Sequence, residues 1–386
     1  MHIPPGFATA KTEGKVLKLH RSLYGLKQSP RAWFDKFRKS VLKLSYKQGN
    51  ADHTLFYKKR GSLLTILIVY VDDIVITGDD SAGIEDLKQQ LKREFEVKDL
   101  GQLRYFLGIE VSRSSKGIYL SQRKYVLDLL SETGMLGSRP ACTPIEQNHR
   151  LANDSGEPVD RDQYQRLVGR LIYLSHTRPD IAFAVSVVSQ FMHDPKTQHM
   201  NAVLRIIRYL KSCPGRGLLY RPHGNLKVEC YIDADWAGSL EDRKSTSGYC
   251  SFVGGNLVTW RSKKQNVVAR STAEAEFRAV AHGICEILWL KILLLELGLF
   301  QTKPMMLYCD NKAALDIAHN PVQHGRTKHI EIDRHFIKEK LDDGEICMPF
   351  VSSSSQLADI LTKGLTEKTF SSMCSQMGLY DAFAPS

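Results

Sequence analysis

The 386-residue chain has no apolar core near its start. The opening residues MHIPPGFATAK carry none of the hydrophobic run that a secretory signal needs. Long hydrophobic runs are missing everywhere else. The longest apolar stretches, around Leu63–Ile76 and Ile287–Leu295, are too short or too interrupted to span a bilayer. No low-complexity tract exists either, since the serines of Ser352–Ser355 are too few to count. These absences lead us to expect a soluble intracellular protein with no membrane partner. Cysteine pairs are lacking as well. The eight cysteines (Cys142, Cys213, Cys230, Cys250, Cys285, Cys309, Cys347 and Cys374) form no CxxC, and several lie in apolar segments. That pattern argues against a zinc site or a disulfide framework and for reduced core residues.

Acidic residues are scarce in two stretches. Lys196–Lys227 contains no Asp or Glu but holds Arg205, Arg208 and Lys211 among its bases. A second acid-free run, Arg243–Arg270, includes Lys263 and Lys264. The net charge is +11. Basic runs of this kind are either solvated faces or a track for a polyanion, and two of them flanking an acidic cluster favour nucleic acid more than one would.

What is present is a globular composition, 42% hydrophobic and 25% charged, in a chain long enough for roughly two or three domains. The stretch LIVYVDDIVITG puts Asp72 and Asp73 inside an apolar run. Burying a carboxylate costs several kcal/mol, roughly, unless it is paired or ligates a metal. Leu63–Val71 and Ile74–Thr77 therefore predict two strands of a hairpin with the aspartates at its tip. A helix is predicted near Pro30–Leu44, capped by Ser29. Helices are predicted at 81–95 and 122–136, with a second hairpin between them turning at Ser114–Gly117. Pro140–Asp160 reads as a linker, and a helical block follows from Tyr164 to Lys211, broken at Pro179 and Pro195. From Lys227 on, KVECYIDADWAG, GYCSFVGGNLVTWRS and MMLYCDN read as strands. A long helix opening at STAE and closing at Gly298 lies between the last two.

Four carboxylates in this last part need an explanation: Asp233 on a strand, Glu276 in the long helix, Asp310 at a strand end and Asp359 at the head of ADILTKGL. Singly, each has a plain reading as a cap, a solvated helix position or a dipole partner. Together they give anionic ligands from different elements, which is what divalent cations in phosphodiester chemistry require.

The series YIDADWAG, RKSTSGYC, STAEAEFRAV, LYCDN and ADILTKGL resembles the ribonuclease H domain of copia-type LTR retrotransposons. SLYGLKQSPRAWF (Ser22–Phe34), YVDD (Tyr70–Asp73) and YFLGIEV (Tyr105–Val111) resemble the reverse transcriptase of the same elements. This resemblance implies an α+β and α/β multidomain chain: a partial polymerase palm at 1–112, a helical thumb or connection at 113–225, a ribonuclease H-like mixed sheet with helices at 226–366, and a tail at 367–386. It implies cleavage of RNA paired to DNA by Asp233, Glu276, Asp310 and Asp359, holding two Mg2+ or Mn2+ ions, with Asp235 and Glu274 as bystanders. Asp72 and Asp73 would be a polymerase remnant, with Asp72 a further metal ligand. Lys27, Gln28, Arg205, Arg208, Lys211, Lys263 and Lys264 would contact the hybrid or a template-primer. RTKHIEIDRHF, with His329 and His335, would serve a structural or substrate-contact role. The family has another polymerase aspartate upstream of PPGF, so a truncated and inactive polymerase is expected. The alternatives are a polymerase completed by the missing part, or a non-catalytic nucleic-acid-binding relic. Location in a cytoplasmic particle or the nucleus follows from the same resemblance.

Overall fold

The computed structural model describes all residues except 1, 5, 8, 10, 11, 13, 19–24, 153–155, 300–302, 320–330 and 384–386. The chain divides into two units, Met1–Gly101 and Gln102–Ser386.

In the first unit, α1 (Ser29–Lys43) precedes an antiparallel sheet and α2 (Ser81–Glu94) follows it. The strands β1 (Lys47–Gln48), β2 (Leu55–Arg60), β3 (Leu63–Tyr70) and β4 (Asp73–Gly78) lie in sequential order. Alternate residues of β3, among them Leu67 and Val69, pack against Phe37 and Val41 of α1, Phe56 of β2, and Leu87 and Leu91 of α2. Ser29 is the first helical residue and not the cap expected of it. Gln28 before it already has helical dihedrals, so no extended residue is left to cap. The aspartate hairpin forms as expected. Tyr70 pairs with Asp73, and Val71–Asp72 makes the turn. Both aspartates are exposed there, which removes the desolvation cost that their sequence context raised. Val71 takes a left-handed φ of 52°, a costly conformation for a β-branched residue.

The second unit opens with β5 (Tyr105–Phe106), β6 (Ile109–Ser114) and β7 (Gly117–Ser121), then α3 (Arg123–Glu132). The hairpin turns at Ser114–Gly117, as the sequence predicts. The helical block is α4 (Arg161–Leu174), α5 (Ala182–Ser189) and α6 (Thr197–Ser212), interrupted near Pro179 and Pro195. β8 (Arg216–Tyr220) leads into β9 (Val228–Asp235), β10 (Thr246–Val253) and β11 (Asn256–Lys264). Then come α7 (Thr272–Leu297), β12 (Met305–Tyr308), α8 (Lys312–His319), α9 (Glu331–Asp342), β13 (Ile346–Cys347), α10 (Glu367–Gln376) and β14 (Leu379–Asp381). One sheet has the order β11-β10-β9-β12-β13. Its first three strands are antiparallel, and β12 and β13 continue it in parallel from β9. This is the mixed five-stranded sheet with helices that the resemblance implies. The other sheet runs β14-β8-β7-β6-β5.

The expected boundaries at 112, 225 and 366 do not separate compact bodies. Val126, Tyr164 and Val203 from the helices, Cys250 and Phe252 from β10, and Phe370, Met373 and Leu379 from the tail share one core. The tail is structured for a physical reason. Phe370 and Met373, three residues apart on one helical face, bury against that core, and β14 pairs with the edge of β8.

Candidate metal centre

Asp233 lies near the C-terminal end of β9, the central strand of the mixed sheet, and is buried. α7 crosses close to this strand because the residues between them are small. Ala234, Ala269, Ala275 and Ala279 form a cluster of their own. Farther along, a Cβ at Gly283 would lie 2.6 Å from Ile232 Cγ2. The helix start is fixed by Ser271, whose side chain accepts from the Glu274 N–H at 3.2 Å. Glu274 accepts in turn from the Arg270 N–H and from the Arg278 guanidinium. Glu274 is thus consumed by capping and pairing. Glu276, two residues on, is 3% exposed and turned toward Asp233.

Asp310 follows β12, the strand parallel to β9. The plain reading of Asp310 as the cap of α8 does not hold, because Asn311 fills that place and accepts from the Ala314 N–H at 3.0 Å. Asp310 accepts from Ser353 Oγ at 2.6 Å and is free to face the cleft. Carboxylate oxygens of Asp233, Glu276 and Asp310 all lie within 4.8 Å of one another.

Asp359 sits beside this triad but outside it. It lies in a short 3-10 turn, Leu357–Leu361, and not at the head of an α-helix. Gln356 anchors the turn to β9 by donating to the Ile232 carbonyl at 2.8 Å. Room for the turn comes from Gly248 on β10, directly opposite Asp233 in the ladder. Thr362 donates its hydroxyl to Asp233 Oδ2. Lys363 Nζ lies 3.4 Å from Asp233 Oδ2 and 3.0 Å from Asp359 Oδ1.

The electrostatics follow from this crowding. Burial, then the charges of Asp233 and Asp310, push the Glu276 carboxyl up to about 9. Burial and Asp233 push Asp359 up to about 7, against the pull of Lys363. Glu276 Oε2 is buried with no hydrogen-bond partner among the described residues. An orphaned carboxylate oxygen beside two more hard oxygen donors fits a Mg2+ or Mn2+ ion. Among the described residues this is the only group of three or more candidate ligands, and neither Asp72 nor Asp73 joins such a group.

Known proteins place the chain. Residues 1–147 match the family model described as reverse transcriptase (RNA-dependent DNA polymerase). Over 380 residues the chain is 43% identical to the retrovirus-related Pol polyprotein from transposon RE1 of Arabidopsis thaliana, covering 98% of this chain and 26% of that protein. It is 37% identical to the corresponding polyprotein from transposon TNT 1-94 of Nicotiana tabacum, over 98% of this chain and 29% of that one. A Saccharomyces cerevisiae protein assigned to transposon Ty5-1 is 31% identical over 288 residues, 74% of this chain and 94% of that one. The chain belongs to the copia-type retrotransposon Pol family. It spans about a quarter of the length of the Arabidopsis polyprotein. Among solved structures, an RNase H1 in complex with RNA/DNA hybrid aligns at 13% identity and a TM-score of 0.28, over 35% of this chain and 94% of that one. A score that low adds nothing to the sheet order already described.

The residues expected to contact nucleic acid differ in their surroundings. Lys27, Gln28 and Lys263 are exposed. The side chains of Arg205, Lys211 and Lys264 are engaged inside the second unit, whereas Arg208 Nε is buried with no hydrogen-bond partner among the described residues. Arg205 pairs with Glu146 at 2.9 Å and donates to Thr143, and Lys211 donates to the Ser138 carbonyl. The Arg208 carbonyl accepts from the Ala141 N–H. Lys264 pairs with Asp242 at 2.9 Å and donates to Gln190 and Ser239. Through Arg205 and Lys211, α6 clamps the 138–147 segment. His329 lies outside the described residues. His335 is on α9 and belongs to no candidate ligand group.

Sequence reasoning missed Thr362, Lys363 and Gln356 at this centre. The only signal was their place beside Asp359 in QLADILTKGL. Nothing in spacing announces that a turn 124 residues away in sequence reaches the Ile232 carbonyl.

Proposed function

We propose that this Pol segment is an RNA–DNA hybrid ribonuclease, with Asp233, Glu276 and Asp310 as its principal metal ligands and Asp359 completing a site for two ions. The convergence of three carboxylates from β9, α7 and the end of β12 within 4.8 Å carries the reading. Family membership and the mixed sheet support it. When bound, divalent ions supply a nucleophilic water at neutral pH and stabilise the charge that develops on the phosphodiester oxygens. The chain's own contribution is placement. Ser353 orients Asp310, and Thr362 orients Asp233. Burial of Asp233 and Glu276 keeps competing water from their carboxylates. Exposed cations, Lys263 among those of β11, and the half-exposed Trp236 beside Asp235 are the groups available to a phosphate backbone and its bases.

The polymerase half is proposed to bind a template-primer without extending it. Two-metal phosphoryl transfer needs several carboxylates, and the Asp72–Asp73 tip gathers no third ligand among the described residues. Purified chain with Mg2+ or Mn2+ should cut the RNA strand of a hybrid, spare duplex DNA, and fail to elongate a primer. Absence of metal-dependent hybrid cleavage would overturn the nuclease reading. Deoxynucleotide incorporation would overturn the polymerase reading alone.

A further inference from the structure

The acidic centre already holds a cation of the chain's own. Lys363 Nζ reaches Asp233 Oδ2 at 3.4 Å and Asp359 Oδ1 at 3.0 Å. The two carboxylate side chains are 3% and 11% exposed, whereas the lysine side chain is 40% exposed. The lysine thus lies with its charge on buried acids and part of its stem in solvent. Its backbone is fixed, since the Lys363 N–H donates to the Asp359 carbonyl at 3.1 Å. An ammonium on a flexible four-carbon stem is a compact point charge that can swing out without moving that backbone. A guanidinium would fork across both acids and leave less readily.

We propose that Lys363 is the resident counter-cation of the centre. It neutralises Asp233 and Asp359 when no divalent ion is bound, and a divalent ion must displace it to use the same oxygens. The lysine is then a positioning residue that sets the ion concentration at which the site fills. It never needs to touch the substrate. The inference rests on the reading of the cluster as a divalent-ion site and adds how occupancy of that site is controlled. Competition of two cations for one set of ligands is a negative coupling, and removing one of them tightens the other by the size of that coupling.

The test uses the full chain, with Tm followed against Mg2+ and, separately, Mn2+, starting from EDTA. The wild type is compared with Lys363→Met, which keeps the stem and removes the charge, and Lys363→Arg, which keeps the charge. In EDTA the Met variant should melt below the wild type, because its carboxylates have lost their counter-charge. Its Tm should then climb with added ion and reach half of its rise at a roughly five- to tenfold lower concentration. The Arg variant should return the midpoint to the wild-type value or above it. Calorimetric ion titration at fixed temperature gives the same midpoints should the Met variant melt too broadly. An unchanged or higher midpoint for Lys363→Met would overturn the inference while leaving the divalent-ion site standing. No response to either ion in the wild type would overturn both.

Discussion

Gly248 stands opposite Asp233 in the β9–β10 ladder, and a Cβ on it would lie 2.8 Å from Leu361 Cβ and 2.7 Å from Thr362 Cγ2. The missing side chain on β10 is what lets the turn carrying Asp359, Thr362 and Lys363 close over Asp233. Gly248→Ala should push that turn away. We expect a stability loss of about 1–3 kcal/mol from overpacking and a much larger proportional loss of hybrid cleavage. Urea unfolding beside single-turnover cleavage checks this. Full activity in Gly248→Ala would show that the turn is not part of the centre.

The ion-free protein should lose stability as pH rises. Glu276 and Asp359 both have folded values above their unfolded ones, at about 9 and about 7. The folded state therefore binds more protons. The stability this contributes is complete below the unfolded carboxylate range, is lost as pH climbs from there, and is gone for Asp359 near 7 and for Glu276 near 9. Melting in EDTA between pH 5 and 9 should show the decline, and saturating Mg2+ should flatten it. Glu276→Gln should remove the part between 7 and 9.

The core of the second unit holds a charge pair with no role at the acidic centre. Arg178 Nη2 lies 2.7 Å from Asp180 Oδ2, and both side chains are essentially sealed from solvent. Tyr209 donates its hydroxyl to the same oxygen at 2.5 Å. Burial pushes Asp180 up, but the Arg178 charge and its hydrogen bonds more than offset this and hold it low. Asp180→Asn leaves Arg178 unpaired and should cost about 3–5 kcal/mol. Denaturant unfolding measures it, and a loss below about 1 kcal/mol would contradict the buried pair.

Arg205 and Lys211 were expected to meet phosphates, and the structure gives them other partners. Arg205→Ala should free the 138–147 segment from α6 and lower stability by about 1 kcal/mol through lost packing and pairing. The slope of log K against log salt for hybrid binding should hardly move. A change near 0.7–0.9 in that slope would instead mark a phosphate contact.

The contrast between Arg205 and Asp233 shows what the sequence could reveal. Strands, the long helix and the aspartate hairpin were legible because alternation, a capping box and a glycine C-cap are local signals. Asp233, Glu276 and Asp310 were legible because they are charges on otherwise apolar elements, joined by family motifs. Arg205 lies in a basic run that looks the same in sequence whether its partner is a phosphate or Glu146 on another segment. The tail went unread because Phe370, Met373 and Leu379 find their partners only after β8 and β10 are placed. The division at Gly101 was missed for a related reason, since the core shared from residue 126 to 379 is a property of packing and not of composition.

The most direct measurement is Mg2+-dependent cleavage of an RNA–DNA hybrid by five versions of the full chain: wild type, Asp233→Asn, Asp310→Asn, Asp235→Asn and Glu274→Gln. Asn preserves shape and removes charge, so the first two variants should stay folded and lose cleavage by a factor of about a thousand or more. Asp235→Asn and Glu274→Gln should retain activity within roughly tenfold of the wild type, since Glu274 is spent on Arg270 and Arg278 and Asp235 lies outside the triad. Cleavage that survives Asp233→Asn, or that vanishes with Glu274→Gln in a folded protein, would contradict the assignment of the centre.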